Sequence, residues 1–496
     1  MHREISKKSA IKTIGGKMLH NKLEGNSAST KIRAAVAAIL AVGLLVSGTS
    51  MNAASAAAKP KQIRILYATA EANSAAVQAA LPSFKTKTGV QLVMDTMPYG
   101  ALQTKVFAEF AAKSSYYDVV IVDTPWSPAL AQNLEPLSAY MTKASLNDLA
   151  PLNPADFIPK VFYDTAVYKV SKPSLHYPNP TAVVDPAAIK KAGFDVYGLP
   201  IQANALALAY RKDLFDDPAQ KAAFKKQAGR DLTVPKTLDE FAEVAEFFTQ
   251  PSKKLYGTTL MAGTGDWATD DFKTLLAAFG GDGYMVGNNQ ELNFNSAAGV
   301  KALTYYRDLI KSGFTPPGTT SASWDEVATM FNSGLTAMTM NYHDLKLDAS
   351  VTGGVIGYAK VPAGNSEGPH FGTWMLSVNK YSKNKEWAYR AAQWLTSAAQ
   401  STAMLSKGIH PARNSVYAAA EKLPDANVAA YYKTLKQALA VGAGRPRLTN
   451  YGEVDAVIFT MVNNVATGKL EPKPALAAAA TEVTKLLESA GYKVPK

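Results

Sequence analysis

Acidic, amide and aromatic side chains occur together in three short polar stretches of this sequence. Asp123 lies three residues before Trp126, Tyr99 follows a proline, and Glu71 and Asn73 lie in a stretch of small and polar residues. Carboxylates and amides bind hydroxyl groups, and flat aromatic rings pack against an apolar C–H face; a sugar presents both features. These residues therefore predict a carbohydrate site, with the alternative that Trp126 only covers the end of a sheet.

Each polar stretch follows a short apolar run that predicts a β-strand. The runs are residues 63–67, 90–94 and 118–123, and between them residues 75–87 and 102–110 have the apolar spacing of helices. This alternation, with a third run that is continuously hydrophobic, is typical of an α/β fold whose parallel sheet is covered on both faces. Because loops at the carboxyl ends of parallel strands meet at one edge of the sheet, we expect the polar stretches to converge on one cleft.

The sequence lacks the motifs of the common catalytic and metal sites. It has no phosphate-binding loop, no nucleophile elbow and no H-E-x-x-H pattern, and the histidines after residue 58 (His176, His343, His370 and His410) do not have metal-ligand spacing. Asp266 with Asp270 or Asp271 offers a carboxylate pair for glycoside hydrolysis, but acids at this spacing are also typical of a helix N-terminus. We therefore expect no enzyme activity, no metal ion and no cofactor.

Length, charge and cysteine content limit the class of protein. A chain of 496 residues exceeds the roughly 250–300 residues at which a single core stops growing, so we expect two lobes. Cysteine is absent, which excludes disulfides, thiol nucleophiles and the cysteine that carries a lipid anchor. The net charge is +12, but residues 1–58 hold 8 Lys and Arg and 2 Asp and Glu, so the charge falls to +6 without them. A charge this mild and scattered predicts no nucleic-acid partner.

The first 58 residues have the pattern of a secretory signal. A lysine-rich lead precedes an uncharged stretch from Ala34 to Ala58, whose final small residues suit cleavage after Ala58. We expect the mature protein to begin near Lys59 and to lie, without a lipid anchor, in the periplasm or another extracytoplasmic space. Two alternatives stay open. Met18 is the true start, or the uncharged stretch, which is about long enough to cross a bilayer, is kept as an anchor.

Six segments, in order along the chain, resemble one protein family. The longest is YGLPIQANALALAYRKDLF at 197–215, and the others are VPKTLDEF at 234–241, MFNSGLTAM at 330–338, GTWMLSV at 372–378, SKNKEWA at 382–388 and GIHPAR at 408–413. Together they are similar to family 1 extracellular solute-binding proteins, the sugar-binding components of ABC importers. Thr373 and Ser377 differ from the Gly and Ala that are more common in the family.

This resemblance implies a two-lobed periplasmic-binding-protein fold whose ligand cleft lies between lobes joined by a hinge of several segments. We expect lobe one at 59–203 with 343–397 and lobe two at 204–342 with 398–496, since apolar runs at 199–208 and 335–342 are long enough to pass between lobes. The expected ligand-binding residues are Glu71, Asn73, Tyr99, Asp123, Trp126, Asn204, Asp266, Trp267, Tyr342, Trp374 and Arg413. The resemblance also implies that a monomer captures a sugar or oligosaccharide by hinge closure and delivers it to the permease subunits of an ABC transporter.

Two other functions stay open at this point. The same family includes members that resemble receptors for glycerol phosphate, polyamines or other small solutes, and Arg413 with Lys105 would then face an anion. An exported polysaccharide-degrading enzyme would instead place two carboxylates roughly 5–10 Å apart across the cleft.

Overall fold

The computed structural model describes residues 59–69, 73–170, 176–281, 283–342, 355–364 and 366–495. The predictions for Glu71 and for the signal segment 1–58 lie outside the described residues. Within these ranges, none of the helices combines the length and the apolar composition needed to cross a membrane.

The described residues form ten strands and eighteen α-helices. The strands are β1 (Gln62–Ala68), β2 (Gln91–Met97), β3 (Val119–Asp123), β4 (Val167–Tyr168), β5 (Asp195–Val196), β6 (Leu199–Ala205), β7 (Ala207–Arg211), β8 (Met338–Asn341), β9 (Ile356–Ala359) and β10 (Phe371–Val378). The helices are α1 (Ser74–Thr88), α2 (Tyr99–Ala111), α3 (Ser127–Leu130), α4 (Ser138–Met141), α5 (Pro159–Ala166), α6 (Pro186–Lys191), α7 (Lys212–Asp216), α8 (Pro218–Ala228), α9 (Leu238–Phe248), α10 (Asp266–Ala278), α11 (Ala297–Lys311), α12 (Trp324–Asn332), α13 (Lys385–Leu395), α14 (Ala398–Met404), α15 (Asn414–Ala420), α16 (Ala426–Val441), α17 (Tyr451–Ala466) and α18 (Pro472–Ser489). Single turns of 3₁₀ helix lie at Ala131–Asn133, Ala144–Leu146, Pro154–Asp156, Pro251–Lys253, Thr319–Ser321 and Leu405–Lys407.

The first sheet has five strands in the order β2-β1-β3-β10-β6. β1 pairs in parallel with β2 and β3, whereas β10 is antiparallel to β3 and β6. Every residue of β3 is buried, as its continuously apolar sequence predicts. Since β2 and β3 point in the same direction, their carboxyl ends bring Tyr99 and Asp123 to the same edge of the sheet. The α/β prediction is confirmed, and with it the expected convergence of these two loops.

A second sheet, of three antiparallel strands in the order β8-β7-β9, belongs to a separate hydrophobic core. The first core is built from side chains of 63–205 and 371–439. The second is built mainly from side chains of 206–340 and 448–492. Two cores of this size agree with the two lobes that the chain length predicts.

The chain passes between the two cores three times. The first crossing is at Leu206, where β6 of the first sheet ends and β7 of the second begins, within the predicted run 199–208. The second comes after β9 and before β10, and the third, which we call the third crossing segment, comprises residues 440–447 between α16 and α17.

The packing differs from the predicted lobe boundaries in two places. Residues 335–342 do not cross, because β8 pairs with β7 inside the second sheet, and β9 pairs with β7 as well instead of joining lobe one. The helices between Ala398 and Val441 were assigned to lobe two, but their apolar side chains, including Met404, Val416 and Leu435, are buried in the first core. Helix amphipathicity shows that a face is buried, but it does not show against which core.

Two capping boxes define the starts of α9 and α12. Thr237 accepts from the backbone N–H of Glu240, whose carboxylate accepts from the backbone N–H of Thr237 in return. Ser323 and Glu326 form the same reciprocal pair at the start of α12. A capping box fixes where a helix begins, so it also fixes Trp324, the first residue of α12.

Candidate ligand-binding site

A cavity of about 230 Å³ lies between the two cores. Its lining residues from the first lobe are Tyr99, Asp123, Gln202, Asn204, Gly372 and Trp374. Those from the second lobe and the third crossing segment are Asp266, Asp270, Trp324, Asp325, Ala328, Asn341, Tyr342 and Arg445. The cavity therefore has one wall made mainly of strand residues and one wall made mainly of helix and loop residues.

The sheet wall owes its pattern to strand register. Trp374 of β10 lies opposite Asp123 of β3 on one side and opposite Gln202 of β6 on the other. Asn204, two residues after Gln202, faces the same side of the sheet because side chains alternate along a strand. A flat ring, a carboxylate and two amides are thereby held side by side on rigid backbone.

Aromatic rings surround Tyr99 at this edge. Its ring centroid lies 5.1 Å from that of Trp126, 5.7 Å from that of Trp374 and 6.3 Å from that of Trp324. Trp126 is only 2% exposed and does not line the cavity, but it also packs against Trp374 at 5.5 Å. Trp126 therefore supports the rings that face the cavity and does not itself face it.

Asp123 is a buried carboxylate held in a fixed position. Its Oδ2 accepts a 3.0 Å hydrogen bond from the hydroxyl of Tyr99, and its Oδ1 accepts a 2.8 Å bond from the backbone N–H of Thr124. Burial raises the pKa of Asp123 from 3.8 to about 6, although the positive charge of Arg445 and the hydrogen bond from Tyr99 act in the opposite direction. At neutral pH the side chain is mostly ionised and can accept hydrogen bonds from hydroxyl groups.

The second wall is organised by Arg445. Its Nη2 lies 3.3 Å from Asp266 Oδ2 and 3.2 Å from Asp270 Oδ2. The hydroxyl of Tyr342 donates a 2.9 Å hydrogen bond to Asp270 Oδ2 and also contacts Nδ1 of the buried His370. Burial would lower the pKa of Arg445, but Asp270 and Asp266 outweigh it, so the pKa is raised and the guanidinium stays charged.

The helix α10 explains why two aspartates share one arginine. Asp266 is the first residue of α10 and Asp270 lies one turn later, so both carboxylates project from the same face. Asp266 and Asp270, which the sequence offered as a hydrolytic carboxylate pair, therefore project from one helix and pair with the same arginine.

The third crossing segment holds Arg445 in place from both lobes. Lys273 of α10, which is fully buried, donates from Nζ to a backbone carbonyl of this segment. The backbone N–H of Gly444 donates a 2.8 Å hydrogen bond to Asp164 of the first lobe, and Arg447 donates a 2.8 Å bond to the backbone carbonyl of Asp164. Residues on both sides of Arg445 along the chain are thus fixed, and its guanidinium lines the cavity.

Of the eleven residues predicted to bind ligand, six line this cavity: Tyr99, Asp123, Asn204, Asp266, Tyr342 and Trp374. Their role in ligand binding stays a prediction. Trp126 and Trp267 pack behind lining rings, with Trp267 at 5.1 Å from Trp324. Asn73 precedes α1 as its N-cap and does not line the cavity.

Arg413 lies elsewhere, in contrast to its predicted position. It is 1% exposed, donates to the backbone carbonyls of Thr396 and Asn153, and lies 3.8 Å above the ring of Phe157 in the first lobe. Lys105, its expected partner in anion binding, forms an ion pair with Glu109 on α2. Arg413 therefore ties loops together inside lobe one, and these two cations do not form an anion site.

Sequence reasoning missed several lining residues, among them Gln202, Trp324, Asn341 and Arg445. Gln202 carried a usable signal, since it lies two residues before Asn204 in the apolar run 199–208 and shares its face if that run is a strand. Arg445 lies between glycines and a proline, a composition that indicates a connecting segment but not what the segment contacts. In the part of the chain that the structure describes, no three His, Cys, Asp or Glu side chains are grouped so as to hold a metal ion.

Known proteins are similar to this chain in sequence and in fold. A mannitol-binding protein of Pseudomonas aeruginosa is 26% identical over 328 residues, which cover 60% of this chain and 70% of that protein. An ABC transporter solute-binding protein from Agrobacterium radiobacter, solved in complex with ribitol, is 26% identical with a TM-score of 0.67 over 86% of this chain and 100% of that one. The GacH receptor of Streptomyces glaucescens, solved unliganded and with acarbose, is 25% identical with a TM-score of 0.66 over 87% and 99%.

The family model for bacterial extracellular solute-binding proteins matches residues 68–402. This match covers most of the chain and includes strands β2 to β10 and most of the cavity lining. The resemblance seen in the sequence is confirmed, and the chain belongs to the bacterial extracellular solute-binding protein family.

Proposed function

We propose that this protein captures a sugar or polyol outside the cytoplasm and delivers it to the permease of an ABC transporter. The observation that carries the proposal is the cavity between the two cores, in which Trp374 and Tyr99 adjoin the fixed polar groups of Asp123, Gln202 and Asn204. Rings can pack on the C–H face of a sugar while carboxylate and amide groups bind its hydroxyls. The mannitol and ribitol named for two relatives are ligands of this chemical class.

Ligand between the two walls would hold the lobes together. A molecule that contacts Asp123 on one side and Arg445 on the other makes both sets of contacts only when the cleft is closed, so it shifts the population toward the closed form. Closure changes the surface that the protein presents to a membrane partner. We propose that the monomer signals its loaded state to the permease in this way.

A thermal-shift screen tests the proposal. We expect one or more pentitols, hexitols, hexoses or oligosaccharides, at 100 times the dissociation constant, to raise the free energy of unfolding by about 2.7 kcal/mol. The absence of any such shift across this panel would contradict the proposal. Release of sugar products from a glycan would instead favour the polysaccharide-degrading alternative.

A receptor for an anionic solute is a second candidate function. The same screen distinguishes it from a receptor for a neutral sugar or polyol. Among the described residues that line the cavity, Arg445 supplies the positive charge, and it already pairs with Asp266 and Asp270. A phosphate needs unpaired cations, so we expect sugar phosphates to give no shift where the parent sugar or polyol does.

We further propose that residues 1–58 are removed on export and that the mature protein is free of a lipid anchor. Support comes from the charge-free stretch that ends at Ala58 and from the absence of cysteine. N-terminal sequencing of the exported protein is expected to begin near Lys59. Recovery of the intact chain in the membrane fraction would show that the segment is an anchor.

A further inference from the structure

The volume of the cavity limits what it can hold. Its 230 Å³ is below the roughly 300–1,000 Å³ of sites for drug-sized ligands, so the cavity suits a ligand smaller than these.

Trp324 closes the cavity on the side away from the sheet. It starts α12 and packs with the second core, yet its ring meets that of Tyr99, from the first lobe, edge-on at an interplanar angle of 81°. On its other side it meets Trp267 at 89°. A ring held between two others has little freedom to move aside, and the contact with Tyr99 joins the lobes at the edge of the cavity.

The residue after Trp324 places this edge of the cavity beside solvent. Asp325 lines the cavity and is exposed, whereas Asp123 and Asn204 at the opposite wall are only 5% and 3% exposed. An oligosaccharide that placed one ring between the walls and extended toward Asp325 would have to pass Trp324.

The interior is dense in polar groups for its size. Gln202 is 6% exposed, and its buried Oε1 has no hydrogen-bond partner among the described residues. Buried polar groups without partners cost free energy, so a ligand that supplies hydroxyls from every side is favoured. A small, densely hydroxylated molecule meets this condition better than one end of a long glycan.

We propose that the ligand is a single sugar ring or an open-chain polyol of similar size, and that Trp324 is the residue that sets this limit. The inference rests on the proposed sugar-binding function and names the ligand class within it. Trp324 acts by occupying the space that a second sugar unit would need.

Calorimetry on the mature chain tests the size limit. The probes are ribitol, mannitol and a set of hexoses, compared with maltose, maltotriose and other di- and trisaccharides. We expect the best single-unit ligand to bind at least about 30-fold more tightly than any di- or trisaccharide, which corresponds to about 2 kcal/mol. A di- or trisaccharide that binds more tightly than all single-unit ligands overturns the size limit but leaves the proposed function standing. If no compound in either group binds, the proposed function itself is wrong.

Variants at Trp324 test whether this residue sets the size limit. In Trp324→Ala we expect the preference for single-unit ligands to fall at least about tenfold, because the opened mouth admits a second ring while the small ligand loses a contact. Trp324→Leu, which is a milder truncation, should reduce the preference by less. Trp387→Ala is the matched control, since Trp387 packs against the first core and does not line the cavity.

The outcomes of the variant test are distinct. A preference that is unchanged in both folded Trp324 variants, or that falls equally in Trp387→Ala, shows that Trp324 does not set the limit. If Trp324→Ala fails to fold by circular dichroism, the Trp324→Leu variant decides the same question. The measured readout is a ratio of affinities, so a uniform loss of stability does not imitate the expected result.

Discussion

Replacing Arg445 by methionine is expected to weaken ligand binding by more than about 30-fold and to lower the free energy of unfolding by about 3–5 kcal/mol. The side chain is 7% exposed and pairs with Asp266 and Asp270, so its removal leaves two carboxylates of the cavity wall without their cation. The loss of affinity follows because Asp266 and Asp270 lose the hydrogen bonds from the guanidinium that hold this wall in one arrangement.

Arg413→Met is the matched control for this experiment. Arg413 is a buried arginine with an aspartate partner as well, Asp156, but it lies in the first lobe away from the cavity. We expect a comparable loss of thermal stability in both variants and a loss of affinity in Arg445→Met alone. Affinity is measured by calorimetry at a temperature where circular dichroism shows both variants to be folded. Wild-type affinity in Arg445→Met would show that the charge cluster is only structural.

Asp123→Asn is expected to stabilise the ligand-free protein at pH 7.5 by about 2–3 kcal/mol and to have little effect at pH 4. Burial raises the pKa of this carboxyl from 3.8 to about 6, so between these values the folded state holds a proton that the unfolded state has lost. Stability therefore falls as pH rises from about 4 to 6, and the cost is complete above pH 6. The side chain of asparagine is neutral, so in Asp123→Asn the free energy of unfolding does not include this cost of burying a charge.

Chemical denaturation at several pH values measures the effect. Asp231→Asn serves as the control, because Asp231 is a surface residue with a side chain 76% exposed. A difference between Asp123→Asn and the wild type that does not change with pH would contradict the prediction. We expect the same variant to bind ligand less well, because an ionised acceptor is replaced by a neutral amide. A binding site that costs stability is a recurrent property of functional clefts.

Local sequence was sufficient to predict much of the fold. The run from Val119 to Val122 is apolar on both faces, which is typical of a covered strand, and Thr237 with Glu240 marks a helix start by its capping chemistry. These features depend on neighbours within a few residues. The loops at the ends of β2 and β3 followed from the geometry of parallel strands, which placed Tyr99 beside Asp123.

The remainder depends on packing between distant segments. Arg413 and Arg445 both lie near prolines in connecting stretches, yet only Arg445 reaches the cavity, since the third crossing segment is fixed by Lys273 and Asp164. Trp126 and Trp374 both adjoin the same sheet edge, but Trp126 packs behind the rings that line the cavity. No spacing within one segment distinguishes these cases.

The three passages of the chain between the cores affect how the protein is made. Side chains of the first core come from 63–205 and from 371–439, with the larger part of the second core between them and the rest after them. While the ribosome is still adding the residues before 371, the strand β10, which lies between β3 and β6 in the first sheet, is absent. The first sheet therefore cannot be completed, and the first core of the nascent chain stays unfinished until synthesis is nearly complete. A chain that folds this late is suited to a secretion channel that accepts only unfolded polypeptide.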